Sequence, residues 1–285
     1  MGDAQTALEN YQSSLKIAEE LHKLNSESAV FAWDVSVSYN KVGDVYIALG
    51  DTMTALENYQ SSLKIAEELY ERNSGSAVFA WDLIDNYWRI ADSYERLNQI
   101  DKALQYFELN HKLCLELHKS DPECETHIIS FANSFINLGA LYKSTNEHDK
   151  ARNFFHSFVT LFEDLSESYS NSILNKEQLT LAYERLGDIY QTLNELEEAL
   201  ELFLLCNSLR KELFESDQEN MQYYEWYGIS NYNVGETLIM NNKKQEGEKY
   251  LRESAMIFKK GFDKYQSDAF KYQLDLLRDN FGIEV

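Results

Sequence analysis

The stretch GDAQTALENYQSSLKIAEELHKLNSESAVFAWD at residues 2–34 returns at residues 50–82 as GDTMTALENYQSSLKIAEELYERNSGSAVFAWD, identical at 27 of 33 positions. The offset is 48 residues, and it continues along the chain without an insertion. A column of small residues keeps this offset: Ala7, Ala55, Ala103, Ala151, Ala199 and Gly247. Self-similarity at a fixed period of this length indicates a repeat array.

Each repeat unit has the spacing of a helical hairpin. Apolar residues recur three and four positions apart, as at Tyr39, Val42, Tyr46 and Leu49, which lines one face of a helix. A small residue such as Gly43 within that face lets a partner helix approach closely, and breakers follow where a turn is needed. The pattern predicts an all-α solenoid of antiparallel helix pairs in one domain over residues 1–285. Its predicted parts are a half repeat at 2–25, helix pairs at 28–73, 77–119, 126–168, 176–214 and 221–264, and a C-terminal cap helix at 268–280.

The order of small residue, tyrosine, turn, alanine and aromatic resembles the core of the tetratricopeptide repeat. The stretch VSVSYNKVGDVYIALGDTMTALENYQSSLKIAEEL at residues 35–69 resembles that family nearly throughout. The period of 48 departs from the family's usual length of about 34, and the closing proline is absent. The chain thus resembles a long-helix variant found in bacterial multidomain proteins. The resemblance implies a right-handed superhelix that serves as a sensing or docking arm of a larger effector.

The first helix, at residues 3–23, corresponds in the repeat to the second helix of a hairpin. Its apolar edge therefore lacks part of the cover that later copies have. We expect the chain to be a segment of a longer protein, the alternative being that this helix is itself a cap packed against residues 28–49. Self-association through residues 3–23 is a further expectation.

The chain carries 48 Asp and Glu against 26 Lys and Arg, a formal net charge of −22. This charge argues against binding to nucleic acid or to an anionic membrane surface, and it favours basic partners. No apolar run reaches the ~20 residues of a membrane span, and no signal peptide opens the sequence. Three scattered cysteines form no disulfide framework, which fits a reducing compartment. We therefore predict a cytoplasmic protein.

The first helix of each pair is expected to line the concave side, where solenoids bind partners. Nine of the 25 positions on the stripe that faces away from the packing rings are acidic, and one is basic. Carboxylates beside aromatic rings suit a segment carrying Arg or Lys. The alternative is that the tryptophans pack between helices and the acids only face solvent. The candidate partner-binding residues are Trp33, Asn40, Asp44, Trp81, Asp85, Trp88, Asp92, Glu95, Glu184, Asp188, Tyr232 and Glu236.

The sequence shows no pattern typical of an enzyme, a metal protein or a cofactor-binding protein. It contains no phosphate-binding glycine-rich loop and no HExxH motif. A zinc site at one group of five residues is disfavoured, because the repeat register places two of them in the core: His111, Cys114, His118, Cys124 and His127. The prediction is a non-catalytic module that binds a basic protein or peptide in an acidic and aromatic groove. The alternative is a self-assembling scaffold that stacks through its exposed terminal helix.

Overall fold

The computed structural model describes residues 2–73, 75–168 and 172–284. Met1, Ser74, residues 169–171 and Val285, which the predicted domain includes, lie outside the described residues. The described part forms twelve helices and no strand, so the all-α prediction is confirmed. The helices are α1 (Gly2–Leu24), α2 (Ala29–Ala48), α3 (Thr52–Arg72), α4 (Ala77–Arg96), α5 (Ile100–Ser120), α6 (Glu125–Ser144), α7 (His148–Ser168), α8 (Ile173–Thr192), α9 (Leu196–Ser216), α10 (Met221–Met240), α11 (Lys244–Tyr265) and α12 (Asp268–Phe281).

The chain divides into two compact units, Met1–Leu141 and Tyr142–Val285. In the first unit, consecutive helices from α1 to α5 pack against each other. In the second, the same holds from α7 to α12. We call α2, α4, α6, α8 and α10 the first-type helices, and α1, α3, α5, α7, α9 and α11 the second-type helices. The prediction of one continuous solenoid with the pair boundaries given above stays a prediction.

Each short turn inside a hairpin is made by one residue with a left-handed backbone. This residue is Gly50 in the first pair, at φ 82°, and an asparagine at each of the following four turns, with φ between 55° and 61°. In the first turn the amide of Asp51 donates to the carbonyl of Tyr46, and the amide of Gly50 donates to that of Ile47. These two bonds form a Schellman cap, which satisfies the last carbonyls of the helix. Glycine and asparagine adopt this backbone at the lowest cost. The asparagine positions are Asn98, Asn146, Asn194 and Asn242.

Close contact between a first-type helix and its partner depends on the predicted pairing of a small residue with a ring. A methyl group on Gly43 would collide with the ring of Tyr59, and one on Gly187 would lie 2.7 Å from Phe203. Both rings are buried, at 3% and 1% exposure. An aromatic ring from the opposite helix therefore fills the space beside each glycine, and this allows the two long helices to pack closely.

A second link within the pairs was not predicted. Side chains of four second-type helices donate to a main-chain carbonyl 26 residues earlier, on the first-type helix of the same pair. All four donor residues are buried, and they occupy one column of the 48-residue repeat. The equivalent position of the third pair holds the buried ring of Phe158. The four links join Ser62 to Ser36, Asn110 to Ile84, Cys206 to Thr180 and Ser254 to Gly228.

Candidate partner-binding face

An open pocket of about 410 Å³ lies between α4 and α6 in the first unit. Two tryptophans of α4, Trp81 and Trp88, line it together with the carboxylate of Asp85. Trp88 is 40% exposed, which is unusual for so large an apolar ring. From α6 the pocket receives polar and apolar side chains: Ser130, Asn133, Ile136 and Asn137. We call this site the tryptophan pocket. It brings together three residues that the sequence predicted for partner binding.

The pocket continues toward the start of α6. A second opening, of about 430 Å³, is lined by Trp81 with Glu125, Thr126 and Ile129. The ring of His127 packs against that of Trp81, with the two ring centroids 5.7 Å apart. Trp81 therefore separates two adjacent openings, and a chain segment lying along α4 and α6 could contact both.

Four other predicted residues, on α2 and α10, lie outside this pocket. Trp33 is half-buried on α2. Asn40, also on α2, is only 4% exposed, and its Oδ1 has no hydrogen-bond partner. On α10, the hydroxyl of Tyr232 donates to Glu236 at 3.0 Å, and its ring meets Phe281 edge-on. The structure thus places Tyr232 and Glu236 in direct contact, and the tyrosine hydroxyl already has a hydrogen-bond acceptor within the protein.

The predicted acidic residues of α2 and α4 are engaged by an arginine. Arg89 forms an ion pair with Asp44 on α2 and donates from Nε to Asp85 at 2.7 Å. The side chain of Arg89 is 17% exposed, whereas that of Asp85 is 47% exposed. The guanidinium also lies over the Tyr59 ring, 5.6 Å from its centroid. Arg89 therefore links two first-type helices, and Asp85 keeps an open side toward the tryptophan pocket.

Farther along α4, the charged side chains of Asp92 and Glu95 are less constrained by ion pairs than Asp44 and Asp85 are. Asp92 pairs with Arg96 at 2.6 Å, but the arginine side chain is 53% exposed. Burial and the neighbouring Asp92 raise the pKa of Glu95. A raised pKa means that this carboxylate holds its charge at a cost, so a cation placed nearby would stabilise it.

In the second unit, the acidic residues of α8 are held more tightly. Arg210 of α9 is 3% exposed and donates to both carboxylate oxygens of Glu184, at 3.2 and 2.9 Å. Asp188 lies 3.4 Å from the amine of Lys143, and burial raises its pKa. Both carboxylates therefore have cationic partners within the protein. The sequence did not indicate Arg210 as a partner of Glu184, because Arg210 lies on a second-type helix and the predicted binding stripe runs along the first-type helices.

The five residues considered for zinc are used in packing. His111 meets Ser134 at 2.7 Å and stacks on Phe131, and burial lowers the pKa of this histidine. Cys114 is 1% exposed, and burial raises its thiol pKa to about 12. The other three are spread among separate contacts, His118 on Phe131, Cys124 with Thr126 and His127 on Trp81. Within the described residues, no group of three or more His, Cys, Asp or Glu is placed to hold a metal ion.

Antiparallel helix pairs repeated every 48 residues define a helical-repeat protein of the α-solenoid class. The family model for the tetratricopeptide repeat matches residues 84–109 and 181–213, so the chain carries tetratricopeptide repeats, as the sequence predicted. No curated protein sequence matches the chain significantly. In the described ranges, no helix has both the length and the hydropathy to cross a membrane.

Solved structures share the fold at low sequence identity. The crystal structure of BtubC (BKLC) from P. vanneervenii has a TM-score of 0.67 at 18% identity, covering 89% of this chain and 90% of that one. A putative kinesin light chain from Podospora anserina, with nearly identical TPR-like repeats, has a TM-score of 0.57 at 14% identity, covering 81% and 96%. The Rap conjugation gene regulator of the plasmid pLS20, in complex with the Phr* peptide, has a TM-score of 0.52 at 13% identity, covering 88% and 60%.

Proposed function

We propose that this chain is a non-catalytic protein-interaction module that binds a basic segment of a partner protein along its first-type helices. The tryptophan pocket is its principal contact, and it carries the proposal because it joins two tryptophans with an accessible carboxylate in one opening. Tetratricopeptide repeats generally act as non-catalytic interaction modules, and extended repeat surfaces are their usual means of binding.

The chemistry of the pocket suits an arginine or lysine side chain. The ring of Trp88 is exposed, and tryptophan is the aromatic residue that attracts cations most strongly, by roughly 0.5–2 kcal/mol. Asp85 offers a half-exposed carboxylate in the same pocket, and Asn133 and Asn137 offer amides for the backbone of an extended segment. The net charge of −22 would raise the association rate of a basic partner at low salt.

The predicted acidic residues divide into two roles in this proposal. Asp85, Asp92 and Glu95 lie on the helix that carries the pocket tryptophans, and they would contact or attract the partner. Glu184 and Asp188 already have cationic partners in the second unit, so they would position helices instead. The Rap regulator, which shares the fold, is seen with a peptide bound, and this supports a peptide segment as the type of ligand.

The test uses fluorescein-labelled oligo-arginine as the probe, with oligo-glutamate as the control peptide. Fluorescence anisotropy would follow binding to the full chain and to a Trp88→Ala variant. We expect this variant to bind oligo-arginine about 5–10-fold more weakly, because it loses one cation–π contact without changing the charge. The matched control is Tyr272→Ala, which removes a ring that is 62% exposed on α12. Equal loss in both variants, or no loss in Trp88→Ala, would refute the pocket as the binding site.

A second candidate function is a self-assembling scaffold. Large apolar side chains of α1 are exposed, among them Leu21 at 40% and Leu24 at 85%. Exposed apolar residues on one helix are typical of interaction sites. Light scattering over a concentration series tests this candidate, and a strict monomer at all concentrations would count against it.

A further inference from the structure

Helix α4 contains a short repeat of its own. Its residues 81–87 read WDLIDNY, and the next seven, 88–94, read WRIADSY. Tryptophan, aspartate and tyrosine therefore each recur seven positions later. Seven residues make about two helical turns, so each copy returns to the same face about 10.5 Å farther along the helix axis. The repeat pairs Trp81 with Trp88, Asp85 with Asp92 and Tyr87 with Tyr94.

Packing explains only the tyrosines of this repeat. Both of their rings lie beside that of Tyr106 on α5, with centroid distances of 6.2 and 5.7 Å. The other repeated side chains are open to solvent. Trp88 is 40% exposed, and the side chains of Asp85 and Asp92 are 47% and 27% exposed. Helix α4 thus presents the combination of a large ring and a carboxylate twice, without a packing reason for the repetition.

The two aspartates are held in the same way. Arg89 donates from Nε to Oδ2 of Asp85 at 2.7 Å, and Arg96 donates from Nε to Oδ2 of Asp92 at 2.6 Å. Within the described residues, no hydrogen bond reaches Oδ1 of either aspartate. Each arginine therefore orients its carboxylate and leaves one oxygen as an open acceptor.

The repeat gives α4 two equivalent places for a cation, which we call the first and second cation subsites. The first has Asp85 between the rings of Trp81 and Trp88, in the tryptophan pocket. The second has Asp92 between Trp88 and Glu95, which takes the place of a third tryptophan. Burial and Asp92 raise the pKa of Glu95, so a cation in the second subsite would relieve the repulsion between these two carboxylates.

The wall of the tryptophan pocket opposite α4 favours an extended occupant. Ser130, Asn133 and Asn137 of α6 line it, and none of these side chains has a hydrogen-bond partner within the described residues. Positions 133 and 137 are about 6 Å apart along the helix axis, which is close to the length of two residues in an extended chain. An extended segment offers its backbone N–H and C=O groups to such side chains, whereas a helix uses these groups internally.

The distance between the cation subsites selects a register in such a segment. A polyproline II segment rises about 3.1 Å per residue and has about three residues per turn. Side chains three positions apart therefore lie on one face, about 9 Å from each other, which is close to the separation of about 10.5 Å along α4. Side chains two or four positions apart point in directions that differ by about 120°.

We propose that the two cation subsites bind an extended segment of the partner protein that carries two arginines three positions apart. One guanidinium group occupies each subsite and donates to the open Oδ1 of Asp85 or Asp92, and the ring of Trp88 serves both. Arginine suits these subsites because its planar group stacks on an aromatic face while its N–H groups point outward from the edge. This proposal rests on the function proposed above, which requires only that a basic segment binds at the tryptophan pocket.

The test uses three fluorescein-labelled peptides of equal length, in which two arginines are separated by one, two or three prolines and flanked by further prolines. Proline keeps each peptide in the polyproline II form, so that only the register differs. Fluorescence anisotropy follows binding to the full chain at one low salt concentration. We expect the peptide with two intervening prolines to bind about 5–10-fold more tightly than the other two, because it alone fills both subsites.

The variant Asp92→Asn should abolish this preference. It removes a charge of the second subsite and leaves the first intact, so the three peptides should then bind with affinities that agree within about 2-fold. The matched control is Glu57→Gln, which removes an exposed carboxylate of α3 that forms no ion pair within the described residues. This control changes the net charge by the same amount, and the preference for two intervening prolines should persist.

Three results would overturn the proposal. The first is equal binding of the three peptides by the unchanged protein, and the second is a preference that Asp92→Asn leaves intact. The third is tighter binding of a helical peptide whose arginines are seven positions apart, since that peptide matches the same distance with another backbone.

The outcome for Trp88→Ala separates this proposal from the proposed function. Equal binding of the three peptides that Trp88→Ala weakens would refute the register alone and leave the tryptophan pocket as the binding site. Absence of binding by all three peptides, or binding that Trp88→Ala leaves unchanged, would refute both.

Discussion

Replacing Glu184 by glutamine tests whether a predicted partner-binding residue is instead part of the scaffold. Glu184 accepts two hydrogen bonds from Arg210, whose side chain is 3% exposed. Arg210 also donates to the main-chain carbonyl of Trp226 at 3.3 Å, lies 5.9 Å from its ring, and has an unpartnered Nε. The change Glu184→Gln therefore removes the carboxylate that this buried guanidinium contacts directly, and only the more distant Asp188 still offsets its charge.

The expected cost follows from this burial. Removing one member of a buried ion pair destabilises a protein by about 3–5 kcal/mol, because the remaining charge stays out of water. Glutamine keeps the shape and one acceptor oxygen, so we expect a loss near the lower end, about 3 kcal/mol in the free energy of unfolding. Exposed ion pairs are worth about 0.2–1 kcal/mol. The control Asp92→Asn, which breaks the exposed pair with Arg96, should therefore cost less than about 1 kcal/mol.

Urea unfolding measures both variants. Trp226 is the only tryptophan of residues 142–285, but its fluorescence overlaps that of three others, so far-ultraviolet circular dichroism is recorded in parallel. Two compact units can unfold in separate transitions. The loss of stability caused by Glu184→Gln should appear in the transition of the second unit, which contains this residue. The double variant Glu184→Gln with Arg210→Met should recover part of the loss, since the buried charge is gone. A loss below about 1 kcal/mol in Glu184→Gln would refute a structural role for this pair.

Three further predictions concern the scaffold. Gly187→Ala should lower the free energy of unfolding by about 1–2 kcal/mol, because overpacking against the buried ring of Phe203 outweighs the higher helix propensity of alanine. Urea unfolding measures this loss, and adding Phe203→Leu to the same chain should restore part of the lost stability. Asn194→Ala should cost about 1 kcal/mol at its left-handed position, φ 61°, whereas Asn194→Gly should cost nothing; equal melting temperatures of the two variants would contradict this. Burial raises the pKa of Asp82 to about 6, despite the hydrogen bond from Ser36. The folded protein therefore binds this proton more tightly than the unfolded chain, and the resulting stability is present below pH 4 and lost as the pH rises through 6. The difference from the ordinary value of 3.8 corresponds to roughly 3 kcal/mol. The stability of Asp82→Asn relative to the unchanged protein should rise by up to that amount between pH 4 and pH 7, and a constant difference would show that Asp82 is not desolvated.

The parts of the fold that were predicted from sequence are those that depend on short spacing. Apolar residues three and four positions apart specify helices, and the left-handed turns coincide with glycine or asparagine at one position of every repeat. The contact of Gly43 with Tyr59 was also predictable, because a small residue and a ring recur at fixed places on facing helices. Local propensity and packing agree at these positions, so the sequence pattern was sufficient.

The candidate site was predicted less completely. The sequence placed Trp81, Asp85 and Trp88 on one helical face, and the structure brings them into one pocket with residues of α6. The amino-acid pattern did not indicate that Arg89 would pair with Asp44, which lies 45 residues earlier in the chain. The signal that could have been used for Arg89 is its position four residues after Asp85, a spacing at which opposite charges pair on a helix.

The helices, their turns, the 48-residue period and the net acidity follow from the sequence, because each of these is set within a few residues or by composition. Which of the carboxylates are neutralised depends instead on the folded arrangement of the helices. Glu184 is held by Arg210 of another helix, and Asp85 keeps an open side at the tryptophan pocket. The physical reason is that charge pairing and solvent exposure depend on which helices become neighbours, and a count of charges along one helix contains no information about its neighbours.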